Sequence, residues 1–238
     1  MFHQWNLEDY QTGQVLLFDK PLHWTSFQLV NKVRWIIKKK FGIKKIKVGH
    51  AGTLDPLATG LVIICVGKKT KEINQYMGMP KTYTGTFHLG ATTPSYDLET
   101  EIDHRFEIDH IHSEKIQEAV AQFQGEIDQQ PPVFSALKKE GKRLYEYARK
   151  GEDVEIPTRK VMIHDFVITR EDLPQLDFEV TCSKGTYIRS LAHDFGKALE
   201  SGAHLSRLRR TKIGEYEVEN ALSVEEFIDQ MKIPSAHE

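Results

Sequence analysis

Cysteine and long apolar runs are both scarce in this chain. Of its 238 residues only two are cysteines, Cys65 and Cys182, and both lie in strand-like runs. They are expected to be small buried side chains, because two isolated cysteines provide neither a disulfide framework nor a zinc-ligand spacing. No apolar run approaches the roughly 20 residues of a membrane span, and the N-terminus lacks the regions of a signal peptide. These absences predict a cytoplasmic protein that makes no membrane contact.

Cofactor motifs are missing as well. The string GKKT at residues 67–70 hints at a phosphate loop, but its spacing from Gly60 differs from the P-loop pattern. No dinucleotide fingerprint and no G-x-S-x-G elbow occurs. Three histidines, His104, His110 and His112, lie in an acidic stretch and are expected to face solvent, with a metal site as a remote alternative. The sequence therefore predicts neither a cofactor nor a metal.

Charge of one sign does not dominate, since the formal net charge is −2 at pH 7. Basic residues are nevertheless clustered at residues 38–47, 138–150 and 207–212. A single cluster of this kind is usually a solvated face. Three clusters that flank a candidate site favour a basic cleft that contacts phosphates.

Helix and strand patterns alternate along the chain without a linker or a repeat. Strands are predicted over residues 14–18, 61–66, 82–89 and 178–182. Helices are predicted to begin at Thr25 or Ser26, with Gln28 completing a capping box from Thr25, at Ser113, near residue 188 and at Ser223. This mixture favours an α+β fold with a mixed, mainly antiparallel sheet and flanking helices. We expect one catalytic domain over residues 1–238, with residues 126–151 as a surface insertion in it.

The most specific segment is the string GHAGTLDPLATG at residues 49–60. It places one acidic side chain, Asp55, in a loop rich in glycine, threonine and proline, directly before the apolar run 61–66. Pro56 disfavours a helical backbone at Asp55, so the carboxylate is expected on a stiff loop near a cleft. An isolated Asp-Pro pair is more often a plain turn before a strand, but the complete string is more specific than such a pair.

This string resembles the catalytic loop of the TruB family of tRNA pseudouridine synthases, and the resemblance covers roughly residues 13–218. Further motifs follow in order: LLFDKP at 16–21, KTY at 81–83, PVFSALK at 132–138, GKRLYEYAR at 141–149, CSKGTYIR at 182–189, GAHL at 202–205 and LRR at 208–210. The bacterial branch fits better than the archaeal and eukaryotic guide-RNA branch. Because the chain stops soon after residue 218, no C-terminal PUA domain is expected.

The resemblance implies an isomerase that converts uridine 55 in the T arm of tRNA to pseudouridine. Asp55 is then the catalytic nucleophile, and Arg189 is the cation that keeps it ionised. Tyr83 would stack on the uracil and help to remove the C5 proton. Whether Asp55 attacks C1′ or C6 stays open at this point.

The resemblance also implies binding roles, because the target base must be flipped out of a folded loop. His50 would fill the space that the base leaves, while Tyr187 and Leu208 would line its pocket. Lys20, Lys142 and Arg143 are expected to bind the substrate. No protein partner is implied, and a monomer is expected.

A second class of function stays open beside the isomerase. The chain could be a tRNA-binding folding factor that opens and refolds the tRNA elbow, with modification as an incidental activity. A pure binding protein has no need of Asp55, Tyr83 and Arg189 together, so these three residues favour catalysis.

Overall fold

A computed structural model describes residues 5–135, 138–139, 142–143, 147 and 155–232. The chain divides into two compact units, the first comprising residues 1–81 and 209–238 and the second residues 82–208. Both units contain helices and strands, and the neighbouring strands of the main sheet whose register the structure describes are antiparallel. The predicted α+β class with a mainly antiparallel sheet is therefore confirmed.

The strands, in chain order, are β1 (Gln14–Lys20), β2 (Val48–His50), β3 (Ala58–Val66), β4 (Lys81–Leu89), β5 (Ala91–Thr92), β6 (His104–Arg105), β7 (Gly125–Gln129), β8 (Lys138–Lys139), β9 (Lys142–Arg143), β10 (Arg159–Asp172), β11 (Gln175–Cys182), β12 (Ala203–Ile213) and β13 (Tyr216–Glu217). The α-helices are α1 (Leu7–Thr12), α2 (Ser26–Phe41), α3 (Ile73–Gly78), α4 (Ser113–Gln122), α5 (Ile188–Ala198) and α6 (Val224–Gln230). Two short 3₁₀ helices span Gly67–Glu72 and Val218–Asn220.

The first unit is arranged around β3, which is buried along nearly its whole length. β1 pairs with β3 from end to end, β2 pairs with its last residues, and β12 runs along its other side. Apolar side chains from β3 and from the segments around it form a core: Ala51, Leu61, Ile63, Cys65, Tyr76, Ile213 and Val218. Burial on both sides explains why the strand is a continuous apolar run rather than an alternating one.

Helix α2 of the first unit begins as the sequence predicts. The Thr25 hydroxyl accepts a hydrogen bond from the Gln28 backbone N–H at 3.0 Å, and the Gln28 side chain accepts one from the Thr25 N–H at 2.7 Å. The apolar stripe of the helix is fully buried: Leu29, Val30, Val33, Ile36 and Ile37. The helix ends at Gly42, whose φ of 64° lies in the left-handed region that glycine tolerates.

The second unit has the strand order β12–β4–β11–β10–β7. β11 alternates buried and half-buried residues, as its period-two pattern predicts. Buried aromatic rings fill the core between the strands and α5: Phe87, Phe166, Phe178 and Phe195. The rings of Phe87 and Phe178 are stacked with their centroids 4.1 Å apart.

The structure bears on two predicted boundaries, the start of α4 and the insertion at residues 126–151. The cap of α4 was predicted wrongly, because His112 is the N-cap, its Nδ1 accepting from the Lys115 N–H at 3.4 Å, and Ser113 is the first helical residue. The insertion expected over residues 126–151 includes most of β7, which pairs with β10, and much of the remainder lies outside the described residues. The single catalytic domain over residues 1–238 stays a prediction. Within the described residues no helix is long and apolar enough to cross a membrane.

Candidate active site

The loop that carries Asp55 joins β2 to β3 in the first unit. Asp55 is half-buried, and its backbone carbonyl accepts a hydrogen bond from the Ala58 N–H at 3.1 Å, where β3 begins. The Pro56 carbonyl accepts a second bond from the His23 N–H at 2.8 Å. The carboxylate therefore projects from a loop in which both residues of the Asp-Pro pair accept a backbone hydrogen bond.

Ser26 holds the residue that precedes Asp55. Its hydroxyl accepts from the Leu54 N–H at 2.8 Å and donates to the Leu54 carbonyl at 3.1 Å. Ser26 and Leu54 are both buried, so these bonds form away from competing water. The first turn of α2 thus fixes the backbone from which the carboxylate projects.

Arg210 holds the loop from β12. Its side chain is buried, and it donates from Nε to the Leu61 carbonyl at 2.7 Å and from Nη2 to the Gly52 carbonyl at 3.2 Å. A bond from Nη1 to the Thr53 carbonyl is longer, at 3.5 Å. A guanidinium can satisfy several carbonyls at once because its donors form a rigid fork.

In the third basic cluster, at residues 207–212, the structure removes Arg210 from the expected phosphate contact, while Arg207 is exposed. Arg210 is buried in the protein, and Arg209 forms two bonds with the Asp19 carboxylate, at 3.0 and 2.6 Å. Lys212 pairs with Glu217 at 2.6 Å. A one-dimensional charge run does not reveal such partners, and Asp19 comes from β1, which is distant in sequence.

Lys20 lies at the end of β1, opposite Gly60 in the strand register. Its side chain is fully buried, and Nζ donates to the carbonyls of Pro21 at 2.9 Å and Trp24 at 2.6 Å. Burial lowers the pKa of Lys20 to about 8, and the negative charge of Asp55 opposes this decrease. Lys20 is therefore a cation of the same unit that is close enough to interact with Asp55, and backbone carbonyls hold it in place.

His50 ends β2 and lies opposite Ile64 of β3. Burial holds the pKa of His50 below its ordinary value, and the Arg210 guanidinium acts in the same direction, while a backbone group of Gly52 opposes them. Burial and the Arg210 charge therefore favour the neutral imidazole over the imidazolium.

In the second unit, Arg189 lies in the first turn of α5 with its side chain almost entirely buried. Nη1 donates to the carbonyls of Phe134 at 3.0 Å and Ser95 at 3.3 Å, and Nε lies 3.6 Å from Oδ2 of Asp97. Asp97, which the sequence analysis missed, is buried beside it. The carboxylate and the two carbonyls together orient the guanidinium.

Tyr187 is the N-cap residue of α5 and is held by a second residue that the sequence analysis missed. The side chain of the fully buried Gln129 donates to the Tyr187 carbonyl at 3.0 Å and accepts from its N–H at 2.7 Å. The Arg159 guanidinium lies over the Tyr187 ring, 4.7 Å from its centroid, and donates to the Gly185 carbonyl. Gln129 and Arg159 lie opposite each other only because β7 pairs with β10. The sequence alone could therefore not identify them as neighbours of Tyr187.

The remaining predicted residues are also in the second unit. Tyr83 is buried near the start of β4, and Leu208 is half-buried in β12. Lys142 and Arg143 form β9, which pairs with β8, and their side chains lie outside the described residues. Lys20, His50 and Asp55 thus share the first unit, and the others share the second.

These features define an α+β protein that presents one carboxylate from a rigid loop at the start of a buried strand. A family model described as TruB family pseudouridylate synthase, N-terminal domain, matches residues 38–188. A model of the tRNA pseudouridylate synthase B C-terminal domain matches residues 189–237. The chain belongs to the TruB family of pseudouridylate synthases.

Curated relatives match over almost their full lengths. The chain is 62% identical to tRNA pseudouridine synthase B of Flavobacterium johnsoniae, over 94% of this chain and 99% of the relative. It is 54% identical to the protein of the same name from Phocaeicola vulgatus, over 94% and 97%. Because the alignments are nearly complete, the likeness concerns the whole chain and not one motif.

Solved structures share the fold. A Cbf5–Nop10–Gar1 complex contains a chain with a TM-score of 0.67 and 29% identity, matched over 92% of this chain and 54% of that chain. An H/ACA RNP bound to a substrate RNA gives a TM-score of 0.65 and 27% identity, over 92% and 53%. This chain spans about half the length of those solved chains.

Proposed function

We propose that this protein isomerises uridine 55 of tRNA to pseudouridine, with Asp55 as the nucleophile. The observation that carries the proposal is the presentation of Asp55 on a loop held by Ser26 and Arg210. Membership of the TruB family supports the reaction, and relatives named tRNA pseudouridine synthase B support the substrate. As tRNA is a cytoplasmic substrate, the protein acts in the cytoplasm, and it acts as a monomer.

The reaction is an isomerisation that balances without an oxidant or a reductant. The bond between C1′ and N1 breaks, the uracil rotates, and a bond forms between C1′ and C5. C5 loses its proton, and N1 ends with one. A carboxylate nucleophile fits because it forms a covalent bond to the nucleotide and holds the reacting parts together while the base turns.

Positive charge stabilises the Asp55 carboxylate electrostatically beside the base. Lys20 supplies a buried ammonium whose pKa responds to Asp55. Arg189 supplies the second cation in this proposal, oriented by Asp97 and by two backbone carbonyls. Fixed charges of this kind stabilise an anion without reorganising during the reaction. Asp97 is accordingly a positioning residue, while Arg189 acts on the nucleophile.

The substrate loop must open for the base to reach Asp55. His50 fills the vacated stack, and Tyr187 and Leu208 line the pocket of the flipped base. Tyr83 stacks on the uracil and assists removal of the C5 proton. Lys142 and Arg143 bind backbone phosphates of the T arm.

The test uses purified protein and unmodified tRNA whose uridine 55 carries tritium at C5. Formation of pseudouridine releases that tritium to water, and chemical mapping of pseudouridine locates the modified position. We expect release and a single new pseudouridine at position 55, and none from tRNA with cytidine at that position. Tight tRNA binding with no pseudouridine formed would favour the folding-factor alternative instead.

A further inference from the structure

A second basic feature lies in the first unit, away from the Asp55 loop. It is an open cavity of about 690 Å³ between the end of α2, the segment before β2 and the 3₁₀ helix that follows β3. Seven of its lining residues are cationic, and none is acidic: Arg34, Lys38, Lys44, Lys45, Lys47, Lys68 and Lys71. We call these seven residues and the space they line the basic cavity.

Three separate stretches of chain supply the cations of the basic cavity, and hydrogen bonds join them. The Gly67 N–H donates to the Lys47 carbonyl at 2.9 Å, and this bond connects the segment before β2 to the 3₁₀ helix. Arg34 of α2 donates to the Val48 carbonyl at 3.0 Å. The lysines are therefore brought together by a fixed backbone arrangement and not by chance proximity of flexible tails.

The string GKKT at residues 67–70 forms part of the lining of the basic cavity. It does not have the spacing of a P-loop, but its position places Lys68, and Lys71 just after it, beside Lys44 and Lys47. The Thr70 hydroxyl donates to the Gly67 carbonyl at 2.8 Å, so the turn is ordered internally. Two basic stretches separated by some 20 residues of sequence form one surface.

The charge of the basic cavity is not neutralised within the described part of the chain. None of its six lysines forms an ion pair with an acidic side chain described here, whereas Lys69, which does not line it, pairs with Glu72 at 2.7 Å. Like charges held together without counter-charge repel one another, and a bound polyanion relieves that repulsion.

The distance to the Asp55 loop indicates which polyanion fits. The loop enters β3 at Ala58, and the basic cavity lies beyond Val66 at the other end of that nine-residue strand. A strand of this length spans about 26 Å at roughly 3.3 Å per residue. An RNA whose target base lies at Asp55 therefore meets the basic cavity with a different part of its backbone.

We propose that the basic cavity binds backbone phosphates of the substrate tRNA that lie outside the T arm. This inference rests on the proposed function, because it takes the RNA modified at Asp55 as the occupant. Several phosphates of one backbone match several cations from three segments better than a single small anion does. Each contact adds affinity by releasing counterions, without reading sequence.

The test compares binding of full-length unmodified tRNA and of an isolated T-arm hairpin across a series of salt concentrations. The variant replaces Lys44, Lys47, Lys68 and Lys71 by Gln. A control replaces Lys197 and Lys232, two exposed lysines that lie outside the three basic clusters and do not line the basic cavity, by Gln. Circular dichroism and the melting temperature check that both variants fold.

We expect the variant to bind full-length tRNA about tenfold more weakly at 0.1 M salt and to lose about two to three units of the log–log salt slope. Its affinity for the T-arm hairpin should change less than about threefold, and so should the binding of both RNAs by the control. Turnover at saturating tRNA should stay as in the wild type, because none of the four lysines is assigned to the chemistry.

An unchanged salt slope for full-length tRNA would overturn the proposal, and so would an equal loss for the hairpin. Saturable binding of tripolyphosphate by the wild type, with unaltered tRNA binding by the variant, would identify a free-anion site instead. Failure of the proposed function is recognised separately, since the wild type would then form no pseudouridine whatever its salt slope.

Discussion

Ser26 and Leu54 are joined by two hydrogen bonds through a single hydroxyl, which accepts from the Leu54 N–H and donates to the Leu54 carbonyl. Leu54 immediately precedes the proposed nucleophile, Asp55. The first turn of α2 therefore controls the backbone position of the carboxylate, although Ser26 is 29 residues away from Asp55 in sequence. Placement of a reacting group within a fraction of an ångström strongly affects rate.

We expect Ser26→Ala to lower kcat about ten- to hundredfold while tRNA affinity changes little. The change removes a buried hydroxyl and leaves both polar groups of Leu54 without that partner, at a cost of about 1–3 kcal/mol in unfolding free energy. Ser201→Ala is the matched control, since its buried hydroxyl donates to the Glu107 carbonyl in the second unit. Equal kcat losses in the two variants would contradict a role specific to the Asp55 loop.

Asp55→Asn keeps the size of the side chain and removes its charge and nucleophilicity. Product formation should become undetectable, while the affinity for tRNA stays within about threefold of wild type. Tritium release and a filter-binding assay on the same preparation measure the two quantities. Turnover comparable to the wild type would exclude Asp55 as the nucleophile.

Arg189→Met should lower kcat more than about a hundredfold, because Asp55 loses one of its two proposed cations. The same change leaves the buried Asp97 without its nearby guanidinium, so we expect a loss of about 3–5 kcal/mol in unfolding free energy. The double variant with Asp97→Asn separates the two effects. It should recover stability in urea denaturation and stay inactive, whereas recovery of activity would show that Arg189 acts only through folding.

Tyr83→Phe keeps the ring and removes the hydroxyl, and Tyr83→Leu removes the ring as well. We expect the Phe variant to lose turnover with little change in tRNA binding, and the Leu variant to lose more. Single-turnover measurements at saturating enzyme distinguish chemistry from binding. A fully active Phe variant would restrict Tyr83 to stacking, and a fully active Leu variant would remove it from the site.

Lys20 should make stability depend on pH in the alkaline range. Its pKa falls from 10.5 to about 8 on folding, so between these values the unfolded chain binds a proton that the folded chain has released. Stability contributed by this group therefore rises with pH across that window. Urea denaturation at pH 7 and at pH 9.5 should show the wild type gaining stability relative to Lys20→Met, and a constant difference would contradict the prediction.

Much of the local structure was predictable because it depends on neighbouring residues. The capping box of Thr25 with Gln28, the buried stripe of α2 and the buried strand after Asp55 are all as predicted. The start of α4 was misjudged by one residue because His112, which is not a preferred N-cap residue, accepts the first-turn bond instead of Ser113.

The basic residues show what a linear pattern cannot supply. The sequence places Arg209 and Arg210 in one cluster with a common role. The structure pairs Arg209 with Asp19 and buries Arg210 against the Gly52 carbonyl, because strand pairing brings distant segments beside β12. Charge runs report composition, whereas ion pairs depend on tertiary neighbours.

The sequence by itself determined the family, the residue expected to be the nucleophile and several of the helices and strands, since these reside in short motifs and local periodicities. Only the tertiary structure identified Ser26, Arg210, Asp97 and Gln129 as supports of the predicted site residues, and only it joined residues 34–47 and 67–71 into one cavity. The physical reason is that each of these relationships joins segments far apart in sequence, either by hydrogen bonds or by bringing charged side chains close together. Such contacts exist only after strands pair and helices pack.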